Sequence, residues 1–235
     1  MDSTLKSILN LKPMRNVATL GFFNNYHVLD YFTEGGSVLI LGKSDNLWAH
    51  LISNSERELD TLLNEDGEKI KYYFSVEDWM IPLILKHGVT DWIMTTNRYI
   101  LSESIFLLPQ KNEIVKLDHS KASYIFENSD YKDYISIEYT AERLSNDISA
   151  GILINNKLVA WGFTHDDGAL GFLHVLEEYR GNGYGSDILS GLIQMRREVK
   201  KPVFGNVVPG NIASVKLLTK LGFEFDRSVS WIKLL

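Results

Sequence analysis

The chain contains no cysteine, which excludes disulfides, thiolate metal ligation and any mechanism that parks a substrate on a protein thiol. Long hydrophobic runs are missing as well. The longest unbroken apolar stretch is about seven residues, 79–85, where a bilayer span needs about 20. The opening Met1-Asp2-Ser3-Thr4-Leu5-Lys6 lacks the basic patch and apolar block of a secretory signal, so the expectation is a cytoplasmic protein without a membrane anchor. His27, His50, His87, His119, His165 and His174 have no metal-ligand spacing among themselves, and no metal site is expected. No Gly-x-Ser-x-Gly elbow occurs, which leaves a hydrolase reading without support. There is no Pro/Gly/Ser-rich linker and no sequence repeat.

What is present is ordinary globular material: 235 residues, 45% hydrophobic and 23% charged. That balance argues against long disorder, collagen-like repeats or a coiled-coil rod, and the length suits one large domain or two small ones. The net charge of -6 is unevenly placed. Residues 136–235 carry eleven basic and eleven acidic side chains, so the whole acidic excess lies in the first 135. A phosphate-rich polymer would be repelled there, which disfavours nucleic acid, while a small phosphorylated ligand could still find a local site.

From about Asp130 onward the pattern is orderly. Apolar spacing predicts a helix over 134–146, with Ile135, Tyr139 and Leu144 on one face. Two strands, 148–154 and 158–164, follow across the turn Asn155-Asn156-Lys157, and a third runs over 169–176 after His165-Asp166-Asp167-Gly168. Tyr184, Ile188, Leu192, Met195 and Val199 then recur at helical spacing over 183–200. A short strand at 203–208, a helix capped near Asn211 and closed by Gly222, and a final pair of strands at 223–225 and 229–234 complete the unit. Residues 1–130 read as a second, mixed α/β domain with 131–235 as its partner. Strands are expected near 37–41, 47–52, 69–74 and 91–95, and helices near 56–63 and 78–87. Seventeen aromatics in the first 135 residues are enough for a core. Trp48, Trp79 and Trp92 fit that core better than a ligand cage.

The third C-terminal strand feeds into Glu177-Glu178-Tyr179-Arg180-Gly181-Asn182-Gly183-Tyr184-Gly185-Ser186 and then a helix. A helix N-terminus offers unpaired N–H groups and the positive end of a dipole, and glycines let a phosphate approach that backbone. The plainer reading is a tight strand-to-helix turn that needs glycine for its dihedrals. Among nucleotide loops, the dinucleotide fingerprint fails because Ser186 stands at its third glycine position, and the Walker loop fails because no Gly-Lys-Ser/Thr enters the helix. Arg-x-x-Gly-x-Gly after a strand instead resembles the pyrophosphate loop of the GNAT superfamily of acyl-CoA-dependent N-acyltransferases. The likeness continues in Asn211-Ile212-Ala213-Ser214 and Leu221-Gly222-Phe223. Over roughly 130–235 the text looks most like the glycine N-acyltransferase branch, through Leu158-Val159-Ala160-Trp161 and the stretch from Leu176 to Gly183.

The resemblance implies an α+β fold: a GNAT-like C-terminal domain with a central, mostly antiparallel mixed sheet flanked by helices, preceded by a mixed α/β domain with an acceptor-side or accessory role. It implies that acetyl-CoA or another acyl-CoA is a co-substrate and that a small-molecule or peptide amine is the acceptor. The amides of Arg180, Gly181, Asn182, Gly183, Tyr184, Gly185 and Ser186 would hold the pyrophosphate, Leu173, Val175 and Leu176 would lie along the pantetheine arm, and Asn211 and Ser214 would face the thioester end or the adenylate arm. The superfamily's usual leaving-group tyrosine falls at Leu218, and the branch's glutamate base falls at Ala169. Asp167, with Asp166 beside it, and His174 are the remaining candidates for the base. Asp166-Asp167-Gly168 is also an ordinary turn, and a strand histidine can be a satisfied core group. The alternative to an enzyme is a non-catalytic acyl-CoA-binding or regulatory module that keeps the cofactor site.

Overall fold

A computed structural model describes residues 3–66, 70–107, 109–130, 132 and 135–235. In chain order it contains α1 (Ser3–Asn10), α2 (Val17–Asn25), β1 (Val28–Glu34), β2 (Ser37–Lys43), β3 (Leu47–Ile52), α3 (Glu56–Asp66), β4 (Tyr72–Glu77), α4 (Ile81–Ile84) and β5 (Thr90–Leu101). It continues with α5 (Ala122–Asn128), α6 (Ile137–Asn146), β6 (Ser149–Ile154), β7 (Lys157–Thr164), β8 (Leu170–Val175), α7 (Tyr184–Glu198), β9 (Val203–Val207), α8 (Ile212–Lys220) and β10 (Glu224–Leu234). The two halves of that order are the same: two helices, three strands, a helix, a strand, a short helix and a long strand. Each triplet of strands is an antiparallel meander, and the strand after the third helix returns parallel to the last of the three, β4 to β3 and β9 to β8. The sequence shows no repeat because this recurrence lies in which positions are buried, and many apolar residues satisfy the same pattern.

Contacts divide the chain into two compact units. The first holds Met1–Arg98, Val208–Gly210 and Asp226–Leu235, and the second holds Tyr99–Val207 and Asn211–Phe225. The division differs from a boundary at residue 130: residues 99–130 pack with the second unit, and the end of the chain packs with the first. In unit 1, β10 lies antiparallel to β4, and Ile232 and Leu234 share a core with Leu59, Leu62, Leu63, Tyr73 and Val76. In unit 2, Tyr99, Leu101, Leu117 and Ile125 join Trp161, Phe163, Ile188 and Leu192.

Local chemistry explains the elements of unit 2. The β6–β7 hairpin turns through Asn155 and Asn156 at φ 49° and 64°, the left-handed pair that a tight two-residue hairpin turn requires and that asparagine tolerates. α7 buries Ile188, Leu189, Leu192 and Ile193. It comes so close to the sheet that a methyl on Gly162 would lie 3.0 Å from Ile188 and 3.1 Å from Leu192. α8 is capped by Asn211, whose Oδ1 accepts from the Ser214 amide at 3.1 Å, and Gly222 ends it at φ 91°.

Several sequence expectations are corrected. The final strand pair is one continuous strand, β10, because Asp226 and Arg227 do not turn the chain. They join a network in which Arg98 bonds Asp226 at 2.8 Å and Arg227 bonds Glu77 at 2.6 Å. The helix expected over 78–87 reduces to a 3-10 turn and the one-turn α4, with Pro82 in its first turn. The strand expected at 69–74 is β4, shifted to Tyr72–Glu77, and residue 69 lies outside the described residues. The helix expected from 134 begins at Ile137, with residue 134 likewise outside them. No helix among the described residues is long and apolar enough to cross a membrane.

Candidate functional site

The site is built on β8. β7 and β8 pair as Ala160↔Val175 and Trp161↔His174, then slip to Phe163↔Gly171 and Thr164↔Leu170. One extra residue on β8 is therefore accommodated at Phe172 and Leu173, and Phe172 takes φ 49°. On its other edge β8 meets β9 at Leu170↔Gly205. That is the one β8–β9 pair registered among the described residues, and β8 continues past it from Gly171 to Val175. Leu173 and Val175 are half-buried there, alternating with the buried Phe172 and His174. Where two parallel strands stop pairing, as β8 and β9 do here, the fork between them can receive an extended ligand.

The glycine loop stands at the C-terminal end of this edge. Gly181 and Gly183 adopt φ 82° and 84°, a left-handed conformation suited to glycine, and nothing lies within 4 Å of where their Cβ atoms would be. Gly183 caps α7 without a side-chain bond. Its carbonyl already accepts from the amides of Ser186 at 3.0 Å and Asp187 at 3.1 Å. The amides of Gly183, Tyr184 and Gly185 have no acceptor among the described residues, so the helix start keeps three unbonded N–H donors. A Cβ on Gly185 would touch Val175, Leu217 and Leu173 at 3.7 to 4.0 Å, which places an apolar floor next to the donors. Asp187 is turned away and accepts from Asn112 Nδ2 at 2.6 Å and from the amides of Lys111 and Asn112.

Arg180 is half exposed, donating from Nε to the Val175 carbonyl at 3.1 Å and reaching Asp130 at 3.5 Å. Asn182 donates to the carbonyls of Tyr179 and Arg180, which braces the loop from within. Leu176 is buried at the end of the strand. Asn211 is exposed and its side chain is used as the α8 cap, with Ser214 as the capped residue.

The two candidate bases are not brought together. Asp167 lies in the turn before β8, whereas His174 is on β8 itself, beyond the bulge. Asp167 is buried, accepts from the Ala169 amide at 2.9 Å, and helps to hold the buried Arg196 charged. His174 is buried against Trp161, the rings stacked at 4.6 Å, with Nδ1 3.4 Å from Asp130. Burial lowers its pKa, Asp130 raises it and Arg180 lowers it, with burial prevailing. Ala169 and Leu218, at the superfamily's usual base and acid positions, are both buried. Two polar groups near the fork were not singled out by the sequence: Asn206, one residue past the last β8–β9 pair, whose Oδ1 is buried without a partner among the described residues, and His165, packed on Phe172 at 4.1 Å. Only the strand order and the bulge bring them to the site, and neither is legible in residue spacing.

A family model described as FR47-like protein matches residues 149–232, the segment from β6 to β10. No curated protein matches the sequence. A crystallised Drosophila protein is similar in structure over 100% of this chain and 97% of its own, at 20% identity and a TM-score of 0.78. A GCN5-related N-acetyltransferase from Kribbella flavida is similar over 94% of both chains, at 12% identity and a TM-score of 0.61. A GNAT-family acetyltransferase from Colwellia psychrerythraea is similar over 97% of both, at 15% identity and a TM-score of 0.56. The chain thus has the mixed α/β fold of the GNAT acetyltransferases it resembles in structure, with an FR47-like match over the segment that carries the glycine loop.

Proposed function

We propose that the protein is an N-acyltransferase that moves an acyl group, an acetyl group in the first instance, from acyl-CoA to a primary amine. The observation that carries this reading is the coincidence of three features around the end of β8: the early end of β8–β9 pairing, the apolar floor of Leu173, Val175 and Leu217, and three amides without an acceptor among the described residues, behind two glycines with no side chain in front of them. Pyrophosphate suits the amides and Arg180, the pantetheine arm suits the floor and the strand edge, and the thioester then falls toward the fork. Backbone N–H groups at the fork can stabilise the oxyanion formed there.

Transfer is direct, in a ternary complex, because the chain has no cysteine and no serine elbow to carry the acyl group. The acceptor is a small-molecule or peptide amine. The acidic excess of the first 135 residues supports a cationic one. Membership of the glycine N-acyltransferase branch rests on the text of β7 and the loop, and Ala169 at that branch's base position speaks against glycine conjugation by its usual chemistry. The same two buried positions, Ala169 and Leu218, favour the second reading, a binding module without turnover. Calorimetry with CoA tests the site, and thioester cleavage with a mixture of primary amines separates the two readings. Absence of CoA affinity would end both.

A further inference from the structure

We infer that Asn206 holds the acceptor amine, its Oδ1 taking one N–H of the attacking nitrogen, an inference that rests on the acyl-transfer reading above. Asn206 stands on β9 one residue past the Leu170↔Gly205 pair, where the registered pairing with β8 ends. Its Oδ1 is buried and has no hydrogen-bond partner among the described residues. Buried carbonyl oxygens are nearly always paired, because stripping one of water without replacing the bond costs free energy. An oxygen kept in that state at a fork between strands points to a ligand that supplies the missing donor.

Strand register shows which face of the sheet it serves. Side chains alternate along a strand, and directly paired residues share a face. Gly162 faces α7, since a methyl there would meet Ile188 and Leu192 at 3.0 and 3.1 Å, and Ala160 and Thr164 lie on the same side of β7. Ala160 pairs with Val175 and Thr164 with Leu170, so both partners share that side, as does Gly205, the partner of Leu170. Asn206, the next residue of β9, therefore faces the other way, with Phe163 and its stacked neighbour Phe172. The apolar floor beside Gly185 is on the α7 side. An acyl-CoA laid along that floor brings its thioester to the fork from the α7 side, and the amine has the opposite face for its approach, where Asn206 is.

The chemistry of the oxygen selects its partner. A side-chain carbonyl accepts and does not donate, so the thioester oxygen and sulfur, acceptors themselves, do not satisfy it. The amide N–H groups of the pantetheine arm belong to the α7 side. What remains in the ternary complex is the amine. A neutral primary amine carries two N–H bonds and a lone pair, and one N–H directed to Oδ1 fixes where the lone pair points. The nitrogen gains positive charge as it attacks, its N–H becomes a stronger donor, and the bond strengthens on the way to the transition state. Asn206 takes no proton in this role. The transfer itself is unchanged: the C–N bond forms, the C–S bond breaks with its electron pair on sulfur, and the proton shed by nitrogen ends on that sulfur.

The test uses the full-length protein with acetyl-CoA and three primary amines: an alkylamine, a polyamine and a peptide with a free amino terminus. Asn206→Leu, close in size, removes the oxygen. It is expected to lower kcat/KM for the best of these amines by about 10- to 100-fold, the range of one charge-assisted hydrogen bond, while acetyl-CoA affinity by calorimetry stays within about twofold of wild type. The melting temperature of the free protein is expected to hold or rise, since a buried unpaired oxygen is gone. Asn206→Asp, which restores an acceptor at the same place, is expected to recover turnover over the leucine variant. In protein labelled at asparagine side chains, the Asn206 amide resonances, assigned by their loss in either variant, are expected to move when the amine is added to the CoA complex. Wild-type turnover in Asn206→Leu, or resonances that stay in place, overturns the inference and leaves the acyl-transfer reading standing. A leucine variant that loses stability or acetyl-CoA affinity in step with its rate does the same, because the side chain is then structural. Failure of the intact protein to bind acetyl-CoA, or binding without turnover of any of the amines, overturns that reading, and this one with it.

Discussion

At the scale of single residues, two charged side chains give opposite kinds of test. Arg180 is half exposed and only loosely tied to Asp130, so Arg180→Ala is expected to leave the melting temperature nearly unchanged. It should weaken CoA by about 1.5 to 3 kcal/mol, the range of one charge-assisted contact. Isothermal titration beside a thermal melt checks both, and a loss of stability at constant affinity would make the arginine structural. Glu77 is the reverse. It accepts from Arg15 Nε at 2.6 Å and Nη2 at 2.8 Å, from Arg227 at 2.6 Å and from the Trp79 indole at 3.0 Å. Although burial alone would raise its pKa, these partners hold it down to about 2. A carboxylate with a depressed folded pKa contributes stability above its unfolded value, near 4.5, and that contribution is lost as pH falls toward 2. The contribution is on the order of 3 kcal/mol. Denaturant melts between pH 5 and 2 should fall steeply in the wild type and less steeply in Glu77→Gln, whose overall stability is also lower because Arg15 and Arg227 lose their partner.

Among the elements, those with a strong local period were legible in the sequence and those fixed by neighbours were not. β6, β7, α7, β9 and α8 follow the apolar spacing to within a residue or two, because each buries one face against unit 2. The helix α2 was missed because Val17, Ala18, Thr19 and Phe22 are all buried, which leaves no polar face to mark a period. β1 was missed for the opposite reason, since it is largely exposed and its alternation is weak. The glycine loop could be read from spacing, whereas the β8 bulge and the approach of His165 to Gly171 depend on register, which spacing does not reveal. Two loop predictions follow at this scale. Asn156→Gly should stabilise the hairpin by about 0.5 to 1 kcal/mol, since glycine adopts a left-handed turn position at less cost than asparagine. Gly183→Ala adds a methyl that meets nothing within 4 Å. Its folding cost is therefore limited to backbone strain of about 1 to 2 kcal/mol, while CoA affinity should fall further than that, because the methyl occupies the space in front of the free amides. Equal losses in both measurements would deny the loop its phosphate role.

For the whole molecule, the sequence supports a cut near residue 130, and the contacts support a different one. A fragment spanning 130–235 holds the glycine loop, β6 to β9 and α8, which is the FR47-like segment and little else. It lacks Tyr99, Leu101, Leu117, Ala122 and Ile125, five buried members of the unit 2 core, and loss of buried side chains of that size costs about 2 to 5 kcal/mol each for the larger ones. It also carries Asp226–Leu235, which belong to unit 1, without β4, the strand that pairs with Val229, Ser230, Ile232 and Lys233. Trp231 and Ile232 would then be exposed on an unpaired strand, a template for aggregation. Stabilities of whole domains amount to only about 5 to 15 kcal/mol, so the losses are large enough to decide the outcome. The 130–235 fragment is expected to be insoluble or to melt without cooperativity, while a 99–225 fragment, which keeps every member of the unit 2 core, is expected to give a cooperative transition by circular dichroism. If the shorter cut instead folds and binds CoA as tightly as the full chain, residues 99–129 are dispensable to the acyl-CoA unit, and the boundary belongs where the residue pattern first suggested it.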